Sequence, residues 1–139
     1  MGFLSSLFGV PKPVPTQIIR DRLGREIDRV EGWNLCNKDL RYRNWSHVSL
    51  SGVSLDGSDL SGSNLLGADL RGTSLRNCKL VACEISFADA SGCDFSDANM
   101  IGCLLYRTET ECARFQNVLM NEDSDIPERR VTGLMRVSS

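Results

Sequence analysis

Residues 50–72 read LSGVSLDGSDLSGSNLLGADLRG, a five-residue unit repeated with a leucine at every fifth place. The spacing runs outward in both directions. Upstream lie Leu35, Leu40 and Trp45; downstream lie Leu75, Leu80, Ile85, Ala90, Phe95, Met100, Leu105, Phe115 and Met120, with Thr110 the one polar interruption. A second ladder sits two residues before the first and is mostly small: Val48, Val53, Ser58, Ser63, Ala68, Thr73, Cys78, Cys83, Ala88, Cys93, Ala98, Cys103, Thr108, Ala113 and Val118. A period of five fits neither the 3.6 of a helix nor the 2 of a strand. The chain must therefore turn a corner once per pentad so that each new centre again points inward. Segments stacked in this way form a solenoid, whose repeats bury a core only against their neighbours.

Residue types agree with the positions. Gly32, Gly52, Gly57, Gly62, Gly67, Gly72, Gly92 and Gly102 fall two places after a centre, where a tight corner favours glycine. Asp39, Asn44, Asp59, Asn64, Asp69, Asp89, Asp94 and Asn99 stand just before a centre, where a short polar side chain can bond the backbone of a turn. Ala68-Asp69-Leu70-Arg71-Gly72 and Ser58-Asp59-Leu60-Ser61-Gly62 resemble the A(D/N)LxG unit of the pentapeptide-repeat family. The resemblance covers residues 33–122, about two-thirds of the chain. It implies an all-β fold, a right-handed quadrilateral parallel β-helix of about four and a half coils.

Outside the repeats, residues 1–15 are an apolar peptide and a proline-rich linker carrying Pro11, Pro13 and Pro15. Residues 16–32 are a cap with two readings. Ile19, Leu23, Ile27 and Val30 suit a helix, while Asp21-Arg22-Leu23-Gly24 suits the turn of a hairpin, the reading favoured here. Residues 123–139 leave the register as a C-terminal tail or cap. Trp33, Lys38 and Arg43 depart from the small ladder and are read as structural, belonging to the first coil beside the cap.

The net charge of −2 argues against a nucleic-acid surface, which needs a clustered basic face. No apolar run approaches the roughly 18 residues of a membrane span. Four of the six cysteines follow the inward ladder, and no CxxC occurs, so they are read as packing thiols in a reducing, cytoplasmic compartment. Cys83 and Cys103 stack one coil apart, a spacing that could admit a bridge. Neither a cofactor nor a metal is expected: the lone His47 has no evident metal partner, and no nucleophile–base pair or phosphate loop occurs. The expectation is that the chain is not an enzyme.

The outward positions give a candidate surface. One face, with Ser49, Asp69, Asp89, Glu109 and Glu111, is polar and acidic. Leu66, Val81, Ala82, Phe87, Ile101, Leu104, Tyr106 and Leu119 sort onto two neighbouring faces and would make one apolar corner. A patch of that kind marks an interface with a protein partner or a second copy, unless the chain's own tail covers it. Phe3, Leu4, Leu7 and Phe8 would share one face of an N-terminal helix and form an anchor for a partner groove or, less readily, a membrane. Met1-Gly2 formally opens a myristoylation pattern, which the bulky Phe3 fits poorly. The resulting reading is a non-catalytic interaction or structural module, a component of a larger assembly. The alternative follows from the resemblance: some members of the family mimic a DNA duplex and modulate DNA gyrase. Against it, residues 33–122 carry eight Lys and Arg beside eleven Asp and Glu, a modest acidity.

Overall fold

The computed structural model describes Gly9, residues 11–125 and Met135–Arg136. Among these residues there is no helix; the architecture is all-β. Strand β1 (Thr16–Arg20) pairs antiparallel with β2 (Glu26–Glu31), so the cap segment is a hairpin. The alternation explains the choice. Ile19 and Val30 turn inward and are buried, while Ile18 and Ile27 turn outward, a period-2 pattern that a helix would not produce. The turn is held by Asp21, whose carboxylate accepts from the backbone N–H groups of Leu23 and Arg25.

From Leu35 onward the chain advances by single-residue parallel bridges, almost all between residues twenty apart: Asp39 with Asp59, Ser49 with Asp69, Asp69 with Asp89, Asn99 with Leu119. The chain thus returns over itself after every four pentads. The centres from Leu40 to Met100 donate their N–H to the coil above, as Leu60 does to Lys79, and the preceding residues from Asp59 to Leu119 donate to the coil below, as Asp59 does to Lys38. Within the pentad, the small-ladder N–H bonds the carbonyl of the centre three residues earlier, as from Ser63 to Leu60. The third residue of that turn takes positive φ, 64–74° in Gly52 to Gly102, which is what a type II turn demands. Where the residue before a centre is Asp or Asn, its side chain commonly accepts from the N–H two places forward: Asp59 from Ser61, Asn64 from Leu66, Asp94 from Ser96.

All eighteen centres are buried, Thr110 included. Phe95 and Phe115 stack face to face, 4.9 Å apart, in the later coils. The small ladder does more than fill gaps. Ser58, Ser63 and Thr73 donate their hydroxyls to the carbonyls of Leu35, Leu40 and Leu50 in the coil below. That explains why hydroxyl residues are tolerated inside: their polar atoms are satisfied.

The hairpin is fastened to the first coil at two places. Asp21 bridges Val48, with Arg22 donating to His47 and Ser49 to Arg20. Asp28 accepts from the Trp45 indole N–H at 2.7 Å and from the Arg43 guanidinium at 3.0 Å. At the far end the coil runs past residue 122. Asp125 bridges Leu104 with one residue more than the usual twenty, and the Ser124 hydroxyl donates to the Met100 carbonyl. Strand β3 (Leu119–Met120) then pairs in parallel with β4 (Met135–Arg136).

Candidate protein-interaction surface

The outward residues sort into columns twenty apart. One corner column holds His47, Gly67, Phe87 and Arg107; the neighbouring one holds Tyr42, Gly62, Ala82 and Gly102. Phe87 occupies a glycine-type corner at φ 60°, and Ala82 does so at φ 53°. For a bulky side chain that conformation costs about 1–2 kcal/mol. Phe87 is nonetheless 54% exposed, so core burial does not offset the strain. Its ring meets that of Tyr106 edge-on at 5.6 Å, and the Arg107 guanidinium lies over the other ring at the same distance. Tyr106 is 54% and Leu104 42% exposed.

The remaining expected members are distributed more loosely. Ala82 is exposed and donates its N–H to Ile101, which like Val81 is half-buried. Leu66 is half-buried and shares a column with Tyr106, but the buried Ser86 stands between them. Leu104 is bracketed by carboxylates, bridging Glu84 on one side and Asp125 on the other. Leu119 is half-buried, and its backbone pairs with Met135, so the tail occupies that edge. The exposed members of the expected corner are thus Phe87, Tyr106, Leu104 and Ala82. Phe3, Leu4, Leu7 and Phe8 lie outside the described residues.

A second set of exposed apolar side chains was not anticipated. Ile18, Leu23 and Ile27 of the hairpin, with Trp33 and Tyr42, face solvent at the N-terminal end, Trp33 being 82% exposed. Trp33 fills no interior space; of the three departures from the small ladder, Lys38 and Arg43 are half-buried and Arg43 bonds Asp28. The available signal was Tyr42, an aromatic at a corner that glycine fills in seven other pentads. Beside Trp33, a cleft of about 440 Å³ opens between β1 and the first coils, lined by Ile18, Leu35, Cys36, Leu50 and Val53 among others.

Chemistry elsewhere is quiet. All six cysteines are free thiols. Burial pushes Cys78 up to about 12, and raises Cys83, Cys93 and Cys103 further, so none is a nucleophile near neutrality. Asp39 is held down to about 2 by the Arg41 side chain, and Asp69 is lowered by Arg71. Among the described residues no group of side chains could hold a metal ion.

The sequence profile for pentapeptide repeats matches residues 44–81 and 83–121 in eight copies. Solved structures include a pentapeptide repeat protein of the Arabidopsis thaliana thylakoid lumen, 26% identical, with a TM-score of 0.52 over 72% of this chain and 62% of that one. Another is HetL of Nostoc, involved in heterocyst differentiation regulation, at 20% identity and a TM-score of 0.61, covering 65% of this chain and 41% of that one. The chain therefore spans less than two-thirds of the length of either. The fluoroquinolone resistance protein QnrB1 is 18% identical over 64% of this chain and 58% of that one, with a TM-score of only 0.39. Among curated proteins none matches.

Proposed function

We propose that this chain, which belongs to the pentapeptide-repeat family, is a non-catalytic protein-interaction module whose contact surface is the apolar corner around Phe87. The observation that carries the reading is the pair Phe87–Tyr106: an exposed aromatic held at a positive-φ corner that glycine fills in seven other pentads, joined edge-on to a second exposed ring. Strain without burial is expected where a side chain serves a partner. Leu104, Ala82 and Ile101 supply the adjoining apolar area, and Arg107 supplies a cation at its rim. The solenoid behind them is taken as a right-handed quadrilateral β-helix of about four and a half coils, a rigid support. Six free thiols suit a reducing, cytoplasmic setting. Phe3, Leu4, Leu7 and Phe8 do not enter this reading.

A second reading, mimicry of DNA toward gyrase, has one feature in its favour: Asp69, Asp89 and Glu109 stack in a single column. Arg71 neutralises the first of them, and residues 1–47 carry eight Lys and Arg against five Asp and Glu, so the acidity does not extend along the rod.

Partner capture from the source lysate tests both, using wild-type bait beside a Phe87→Asp/Leu104→Asp variant of unchanged circular dichroism. A partner held by the wild type and lost by the variant is the expected result. The same partners on both baits would overturn the corner, and gyrase among them would favour mimicry.

A further inference from the structure

We propose that two copies of this chain pair antiparallel through the free edge of β1, using Val14, Thr16 and Ile18, with Thr16 on the two-fold axis. The argument begins with parity. Pro15 accepts from Gly32, and Asp21 exchanges bonds with Arg25 and Gly24, so the odd residues of β1 direct their backbone groups toward β2. The even residues point the other way: Arg20 accepts from Ser49 and Arg22 donates to His47. Thr16 and Ile18 share that outward direction, and among the described residues no backbone bond from the coil reaches them. The prolines keep the same parity. Pro13 and Pro15 lack a donor only on the side of β2, which ends at Glu31 opposite Thr16. Val14 is held extended by the proline that follows it, and it keeps its N–H for the free side. An unpaired edge of this kind is a template for another strand.

The edge is complementary to itself. An antiparallel pair centred on Thr16 sets Val14 of each copy beside Ile18 of the other, with backbone bonds exchanged in both directions at every pair. Val14 and Ile18 are the apolar side chains that this edge leaves in solvent, 60% and 46% exposed. Pairing gives each of them an apolar cross-strand neighbour. The register also ends where the structure requires. Arg20 already engages its carbonyl with Ser49, and it would face Lys12 of the second copy, like charges that stop the ladder there. On the opposite face, Pro13 and Pro15 of the second copy turn toward the cleft between β1 and the coil. Its lining includes Trp33, Leu50 and Val53 and holds no charged side chain, which suits two proline rings.

Sedimentation velocity of the full chain at rising concentration tests this. A reversible dimer is expected, and a weak one, because the contact is short. Val14→Lys and Ile18→Asp should each leave a monomer at concentrations where the wild type dimerises. Both side chains are exposed, so each variant should keep the wild-type circular dichroism, and the four core thiols should stay unreactive, which certifies the fold. Mixing the two variants reads the register directly. They should associate with each other as a one-to-one pair, because the new lysine then meets the new aspartate while Ile18 of the first stays beside Val14 of the second. The Phe87→Asp/Leu104→Asp variant should dimerise like the wild type, which separates this edge from the corner around Phe87. A wild type that stays monomeric throughout would overturn the proposal. So would a dimer that survives either single substitution, a mixture that does not associate, or a dimer lost with Phe87 and Leu104.

Discussion

At the scale of the residue, the corner position decides most. Ala82 sits at φ 53° between Gly62 and Gly102 of the adjoining coils, and its side chain is exposed. Ala82→Gly should therefore stabilise the protein by about 1 kcal/mol through release of left-handed strain, less the flexibility gained by the unfolded chain. A shift of the urea midpoint to lower concentration would contradict this. Gly62→Ala should move the midpoint the other way by a similar amount or more. Its new Cβ would stand 2.6 Å from the ring of Tyr42, which must swing aside, and the strain at φ 69° would be added. Phe87→Gly separates strain from recognition: stability should hold within about 1 kcal/mol, as relief of strain offsets the lost ring pair, while partner capture fails.

At the scale of the element, the hairpin depends on one carboxylate. Asp28 satisfies the indole N–H of Trp45, a fully buried residue, and the Arg43 guanidinium with it. Asp28→Ala would strand the buried indole donor and should cost about 1–3 kcal/mol in chemical denaturation. Amide exchange should quicken first in β2, before the middle coils, because each coil is supported mainly by its neighbours. Unaltered exchange in β2 would show that the hairpin is held by Ile19 and Val30 alone. The sequence left the cap open because Ile19, Leu23, Ile27 and Val30 satisfy a helical stripe almost as well as a strand pattern. What separates the two is tertiary: the Ser49 N–H bonds Arg20 and the Trp45 indole bonds Asp28 only when the hairpin lies against the coil. The run past residue 122 was equally hidden, since Asp125 joins the ladder by a one-residue slip that breaks the period of five.

At the scale of the molecule, the repeat made the core and the outward columns legible, because a fixed period turns sequence position directly into position on the rod. It could not reveal the cleft, which exists only where β1 diverges from the coil. The same regularity distributes four buried thiols along the interior, and together they set a pH limit for the whole structure. Cys78, Cys83, Cys93 and Cys103 all have folded pKa values raised above an ordinary 9.0 by loss of hydration, Cys78 to about 12. The folded state therefore holds these protons more tightly than the unfolded chain. Their contribution is fully present below about pH 9 and is lost as the pH climbs toward 12 and beyond, with a slope of up to about 1.4 kcal/mol per pH unit for each thiol. Unfolding free energy measured at pH 8, 9, 10 and 11 should fall progressively above the second point. A Cys78→Ala/Cys93→Ala variant, though less stable at neutrality, should fall less steeply over the same range. Parallel curves for the two proteins would mean that the interior admits water enough to ionise its thiols, and that the ladder packs too loosely to exclude it.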